Sequence, residues 1–290
     1  MTAPRLHHVP CLNSTGLHRV AYWEWGDANN PRVLVCVHGL TRQGRDFDVL
    51  AAAMSDHYRV VCPDIAGRGE SDRLPTPADY VVPRYAADMI TLLARVNAET
   101  VHWVGTSMGG LIGMVVASLA PQPLISKLVM NDVGPVLPPQ AISRIGAYLG
   151  APLRWHSVAQ AADYLWSISK SFGPHTAEQW LALTQPMLRP AEGGGWRLHY
   201  DPAIAIPFQT STPESAAAFE ASRWAAYDAV RCPTLLLRGA DSDLLTPEHA
   251  QAMTERGPRA RLHTFAGVGH APTLIASDQV QRVLEFLLAA

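Results

Sequence analysis

The stretch Gly105-Thr106-Ser107-Met108-Gly109-Gly110 constrains this chain more than any other, because the apolar run Val101 to Val104 leads into it and a second, Leu111 to Ala120, leads out. A strand that passes straight into a helix needs a sharp, strained turn, and the small residues Gly105 and Gly109 allow the two elements to approach closely enough to make it. Ser107 at the tip is a candidate nucleophile. The Met108 amide, at the start of the following helix, has no acceptor within that helix and is available to a developing oxyanion. Gly-x-Ser-x-Gly arises by chance in roughly one chain in ten of this length, so the flanking runs carry much of the weight.

Three further segments add to it. Val33 to Val37 reads as a buried strand that runs into His38-Gly39-Leu40-Thr41-Arg42, a loop able to supply a second oxyanion donor from the Leu40 amide. Val60 to Cys62 is another short apolar strand, followed by the glycine-containing loop Asp64-Ile65-Ala66-Gly67-Arg68-Gly69-Glu70-Ser71. Near the C-terminus, Gly267-Val268-Gly269-His270 follows the strand-like Leu262 to Phe265. Histidine is the side chain whose ordinary pKa suits proton shuttling near neutrality.

On these motifs the chain resembles the α/β-hydrolase superfamily over nearly its whole length, in the chain order nucleophile, acid, histidine. The resemblance implies an α/β fold with a mostly parallel eight-stranded sheet flanked by helices and an inserted helical cap. It makes Ser107 the nucleophile, His270 the general base and acid, and the Leu40 and Met108 amides the oxyanion hole, with no cofactor.

The acid is expected after the strand-like Leu235-Leu236-Leu237-Arg238-Gly239, in the loop Ala240-Asp241-Ser242-Asp243-Leu244-Leu245-Thr246-Pro247. Many relatives carry Gly-x-x-Asp here, followed by two residues, a small or β-branched one and proline. The Asp-x-x-Thr-Pro end selects Asp243, whereas counting from Gly239 lands on Ser242. We prefer Asp243, because the proline that opens the next helix anchors the register better than the start of the loop. Asp241 is one alternative. Asp132, at the end of the strand Leu128 to Met130, is another, since some relatives place their acid after that earlier strand.

Strands alternate with helices up to about Asp132, which predicts a mostly parallel sheet covered on both faces. Leu6 to Pro10 and Leu17 to Trp25 read as an opening hairpin, and Arg84 to Val96 as the helix before the nucleophile strand. From Gly134 to Val230 the alternation stops and helical stretches appear at Gln140–Leu149, Val158–Phe172, Ala177–Leu188 and Glu214–Val230. The expected organisation is a first core part over 1–134, a helical cap over 135–229 and a second core part over 230–290, closing with the helix Ser277 to Leu288. The cap holds Trp155, Trp166, Trp180, Trp196 and Trp224, five of the eight tryptophans. Most are expected to pack the cap's own small core, with one or two lining an acyl pocket. Gly193-Gly194-Gly195 reads as a hinge or a plain turn.

Composition narrows the partners. With 290 residues and 48% hydrophobic content the chain can bury a large core, and its net charge of -2 with 17% charged residues argues against nucleic acid or an anionic membrane. No run reaches the roughly 20 apolar residues that span a bilayer, and the start Met1-Thr2-Ala3-Pro4-Arg5 has no leader pattern, so a cytoplasmic location is expected. Cys11, Cys36, Cys62 and Cys232 form no C-x-x-C pair and read as free buried thiols. The histidines show no metal-ligand spacing, so no metal is expected. No dinucleotide fingerprint is present: Asp72 occupies the third glycine position after Gly67-Arg68-Gly69.

The function expected from this pattern is hydrolysis of a carboxylic ester through an acyl-serine. The substrate would be a small or medium acyl ester, a lactone or a short hydroxyalkanoate oligomer, in decreasing order of preference. Serine in place of a carboxylate argues against epoxide hydrolases and haloalkane dehalogenases. A C–C bond hydrolase on the same triad is disfavoured by Thr106, where such enzymes usually carry asparagine, and a non-catalytic small-ligand binder on this fold is the alternative of another class.

Overall fold

A computed structural model describes residues 3–119, 123–209 and 213–289, without the side chains at 213, 215 and 216; Ala120, the expected end of the helix after Ser107, lies outside these. The core strands are β1 (Arg5–Asn13), β2 (Gly16–Trp25), β3 (Arg32–Val37), β4 (Arg59–Pro63), β5 (Thr100–Thr106), β6 (Lys127–Asn131), and, after a long insertion, β10 (Thr234–Gly239) and β11 (Arg261–Phe265). They form one eight-stranded sheet in the order β1-β2-β4-β3-β5-β6-β10-β11. β1 and β2 make the expected hairpin, β2 also runs antiparallel to β4, and all other neighbours are parallel.

Why the middle strands read as unbroken apolar runs is clear from their two faces. Val33, Val35 and Val37 enter one core, and Leu34 and Cys36, pointing the other way, enter a second. A parallel strand covered on both sides has no solvent face to mark with polar residues. Helices α2 (Val82–Val96), α3 (Met108–Ser118), α8 (Pro213–Ala229) and α9 (Pro247–Glu255) contribute to the first core, whereas α1 (Asp48–Met54) and α10 (Ser277–Leu288) contribute to the second. α3 lies hard against the sheet. A Cβ at Gly113 would come within 2.3 Å of Trp103 Nε1, and that nitrogen donates to the Gly109 carbonyl at 3.1 Å.

The segment between β6 and β10 carries α4 (Pro139–Tyr148), α5 (Val158–Ile168), α6 (Ala177–Thr184), the short α7 (Ile206–Gln209) and α8. It also carries a feature absent from the sequence reading, a three-stranded antiparallel sheet of β7 (Arg154–Trp155), β9 (Trp196–Leu198) and β8 (Leu188–Pro190) in that order. The helix expected over Ala177–Leu188 stops at Thr184, and Leu188 opens β8 instead. Gly193, Gly194 and Gly195, all at positive φ, close the β8–β9 hairpin, with the Ala191 amide donating to the Gly195 carbonyl at 3.0 Å. Trp166 and Trp180 stack edge to face at 5.0 Å, and Arg256 lies 4.2 Å from the Trp224 ring. The inserted aromatics therefore serve packing, as most were expected to.

Candidate active site

Ser107 sits between β5 and α3 at φ 52°, ψ -118°, a backbone conformation that costs a non-glycine residue on the order of 1–3 kcal/mol. The surroundings leave it no alternative. A Cβ at Gly105 would stand 2.2 Å from the Gly109 carbonyl oxygen, and one at Gly109 would stand 1.9 Å from the Val37 carbonyl oxygen, so the strand, the turn and the preceding loop fit only with glycine at both places. The Ser107 amide donates to the Asn131 carbonyl at 2.9 Å, which ties the turn to the end of β6.

The next residue after β6 and Asn131 is Asp132, and it is this carboxylate that meets the histidine. Asp132 Oδ2 lies 2.8 Å from His270 Nδ1, and His270 Nε2 lies 3.0 Å from Ser107 Oγ. With Nδ1–H donating to the carboxylate, Nε2 is left as acceptor for the serine hydroxyl. Asp132 is fully buried, and its oxygens accept further hydrogen bonds from the Gly239 amide at 2.9 Å and the Ser242 hydroxyl at 2.6 Å.

The expectation of Asp243 is corrected by this geometry. Asp243 instead forms a bidentate ion pair with Arg144 of α4, at 2.7 and 2.9 Å, and is half-exposed. The Arg144 charge and hydrogen bonds hold its carboxyl below the usual range, against the opposing effect of partial burial. Asp241, the other alternative in this loop, is exposed. Ser242 occupies the place that the count from Gly239 selects, and its short side chain reaches the carboxylate on the neighbouring strand instead of supplying one.

The loop after β3 borders Ser107 as expected: a Cβ on Gly39 would be 3.6 Å from the Ser107 Cβ. His38, buried completely, donates from Nδ1 to the Gly39 carbonyl at 2.7 Å and accepts the Ile65 amide on Nε2 at 3.0 Å. Burial pushes its pKa down to about 3, so it stays the neutral tautomer those bonds require. The Gly39 carbonyl also accepts the Arg42 amide at 3.2 Å, and in a trans peptide this turns the Leu40 N–H to the opposite side.

Arg68 is a residue the sequence reading passed over. Its guanidinium is buried, donates to the Leu40 and Ala66 carbonyls at 2.9 and 2.8 Å and to the Tyr85 hydroxyl at 2.9 Å, and approaches Met108 Sδ at 3.8 Å. It thus contacts both residues singled out as oxyanion donors. A charged residue in a glycine-rich loop ordinarily reads as solvated, and only the fold shows it turned inward.

Ser107 and His270 open onto a cavity of about 100 Å³, roomy enough for several water-sized groups. Its walls include Leu40 and Thr106 from the core and Ile145, Leu165, Phe172 and Tyr200 from the inserted segment. None of the five inserted tryptophans is in its lining, so the expectation that one or two face an acyl group is corrected; Phe172, Tyr148 and Tyr200 are the aromatics there. Ser171 of the inserted segment braces the histidine loop, its carbonyl accepting the Gly269 amide at 2.5 Å and its hydroxyl donating to the His270 carbonyl at 3.2 Å. Outside this cavity, Cys11, His18 and Asp88 form a buried cluster with ligand atoms within 4.8 Å of one another. Burial and the Asp88 charge push the Cys11 thiol up to about 12.

A family model described as the alpha/beta hydrolase family matches residues 34–286. The chain belongs to that family. It is 52% identical to a 3-hydroxybutyrate-oligomer hydrolase from Cupriavidus necator, over 99% of each chain. Among solved structures it resembles an alpha/beta hydrolase from Novosphingobium aromaticivorans, with a TM-score of 0.85 and 33% identity, and a protein from Rickettsia typhi, with a TM-score of 0.88 and 28% identity, each covering 99% of both chains. The eight-stranded, mostly parallel sheet flanked by helices is an alpha/beta hydrolase fold. No described helix is long and apolar enough to cross a membrane.

Proposed function

We propose that this protein is a serine hydrolase that cleaves the ester bonds of short hydroxyalkanoate oligomers through an acyl-Ser107 intermediate. The observation that carries the reading is the hydrogen-bonded series Ser107–His270–Asp132 at the mouth of a cavity, in a chain half identical to an oligomer hydrolase. His270 Nε2 takes the Ser107 proton as Oγ attacks the ester carbonyl. The Leu40 and Met108 amides hold the oxyanion of the tetrahedral intermediate, and His270 then gives its proton to the departing alcohol. In the second half His270 removes a proton from water, which attacks the acyl group and frees Ser107. Asp132 keeps the imidazole in one tautomer and stabilises its cationic form.

Residues 135–229 act as the cap that chooses the acyl group, because most of the apolar cavity wall comes from them. The small cavity favours short acyl units over long fatty chains. Four buried free cysteines suit a reducing compartment, and we place the protein in the cytoplasm. The deciding experiment is turnover of 3-hydroxybutyrate dimer and trimer by wild type and Ser107→Ala, followed by mass spectrometry of a trapped acyl-enzyme. Hydrolysis by wild type alone, with the acyl group on Ser107, is expected; equal turnover by the variant would defeat the reading.

A further inference from the structure

Beside the cavity at Ser107 lies a second one of about 270 Å³, and the two share a wall of Leu153, Leu198 and Tyr200. The lining of the second includes Arg73, Arg154 and Arg197 and no carboxylate. Arg73 comes from the loop between β4 and α2, and the other two come from β7 and β9 of the small sheet. Arg154 and Arg197 stand opposite each other in the antiparallel register, and Arg197 stands opposite Arg189 on its other side. Directly opposed residues project to the same face, so three guanidinium side chains form a row across three strands, an arrangement whose mutual repulsion costs stability unless negative charge answers it.

Arg189 has an answer in Glu70 at 2.5 Å. Arg154 and Arg197 donate to the Glu192 and Leu198 carbonyls at 3.0 and 3.2 Å, and neither they nor Arg73 has a carboxylate partner among the described residues. The arginines of the Ser107 cavity differ in this respect, since Arg42 is paired with Asp46 and Arg144 with Asp243. Positive charge is therefore left unanswered in one cavity, next to the site but outside it.

We propose that the Arg73–Arg154–Arg197 groove is a subsite for the terminal carboxylate of the oligomeric substrate. This rests on the oligomer-esterase reading above. A linear hydroxyalkanoate oligomer has a hydroxyl at one end and a carboxylate at the other, and the carboxylate lies on the alcohol side of every ester in the chain. Anchoring it in the groove places the leaving-alcohol portion along Leu153, Leu198 and Tyr200 and an ester carbonyl at Ser107. Hydrolysis then releases the carboxylate-bearing fragment as the alcohol, protonated by His270. Such a subsite selects oligomers over neutral esters of the same acyl group.

The test compares linear 3-hydroxybutyrate oligomers, dimer to pentamer, as free acids and as their methyl esters, with wild type, Arg73→Gln, Arg154→Gln and the double variant, each normalised to p-nitrophenyl butyrate. Wild type is expected to prefer the acid at chain lengths that reach the groove, by about tenfold or more in kcat/KM and chiefly through KM, and each substitution is expected to erode that preference. Acid and methyl ester turned over alike by wild type, or falling in parallel in the variants, overturns the proposal. Should the variants fail to fold, wild type still decides: the acid preference must shrink as salt is added, and a salt-independent preference counts against the groove. Inorganic phosphate separates the other source of the same chemistry. If phosphate raises Tm, Arg154→Gln removes that rise, and turnover shows no acid preference, the groove is a free-anion site and the substrate role fails. If wild type is inert toward p-nitrophenyl butyrate and every oligomer, the esterase reading falls and takes this proposal with it.

Discussion

The Asp132 carboxylate lies 2.8 Å from His270 Nδ1 although 138 residues separate the two in sequence, and the whole inserted segment falls between them. The carboxylate therefore stands at the end of β6, beside the strand that leads into Ser107, and Ser242 of the loop after β10 and Gly239 at the end of that strand donate their hydroxyl and amide to it. Left-handed backbone at Asp132, φ 56°, swings its side chain from the end of its own strand across to that loop.

Substituting the two aspartates separates the assignments. Asp132→Asn removes the acceptor that sets the His270 tautomer, and kcat for p-nitrophenyl butyrate should fall on the order of 10⁴-fold. Asp243→Asn breaks only the pair with Arg144 and should stay within about tenfold of wild type, the scale of a half-exposed ion pair. The opposite ranking in steady-state kinetics would return the acid to Asp243.

Ser107 is held in strained backbone, so two substitutions there should part activity from stability. Ser107→Ala and Ser107→Gly should both lose turnover by about 10⁴-fold or more. Glycine alone adopts φ 52° without a side-chain clash, and urea denaturation should find it more stable than the alanine variant by roughly 1 kcal/mol. Equal stabilities would mean that the turn stores no strain at this residue.

Much of this was legible in the sequence because glycine and apolar patterning answer to local geometry. The spacing Gly105-x-Ser107-x-Gly109 follows from strand, turn and helix pressed together, and the two-sided burial of β3 and β10 writes itself as unbroken apolar runs. The carboxylate that meets His270 was not singled out because proximity to His270 is a property of strand order: β6 and β10 are neighbours in the sheet, so a carboxylate at either strand end can reach the same imidazole. The small sheet escaped for a different reason. β7, β8 and β9 span two or three residues each, too few to show a period of two. Arg68 was hidden because its partners are carbonyls and a phenol brought together only by the fold.

Arg68→Met should damage both stability and catalysis. The Leu40 and Ala66 carbonyls and the Tyr85 hydroxyl would each lose a buried donor, at about 1–3 kcal/mol apiece where water cannot enter. The Leu40 loop would lose its anchor, so kcat should drop more than KM rises. A stable variant with unchanged kcat would show that the buried guanidinium does not position the oxyanion loop.

Acid should destabilise the fold before its carboxylates are fully protonated. Burial lowers His38 to about 3 and His102 to about 4, whereas in the unfolded chain each titrates at about 6.5. Below that value the unfolded state binds more protons, so stability falls as pH drops from about 6.5 toward 4. Asp64 works the other way, because burial raises it to about 6 and the folded state takes its proton first. Buried His199, also lowered, acts with the two histidines, and buried Asp46, also raised, acts with Asp64; the histidines leave a net decline, and His102→Gln, which lies outside the site, should flatten it. Urea midpoints across this range check the slope; an unchanged slope in the variant would remove His102 as a contributor.

The role proposed for residues 135–229 in choosing the acyl group is open to test at Phe172. This ring borders the cavity from the inserted segment and leans edge to face on Trp180 at 6.3 Å, so removing it enlarges the acyl space while Ser107, His270 and Asp132 stay on the core. Each methylene that gains or loses a close-fitting wall is worth roughly 1–3 kcal/mol of discrimination. Phe172→Ala should therefore lower kcat/KM for p-nitrophenyl acetate and butyrate and raise it relative to them for hexanoate and octanoate. The chemistry itself should persist, with the acyl-enzyme still forming at Ser107. A uniform loss across all four esters would place the selectivity in the core and leave the inserted segment as a cover alone.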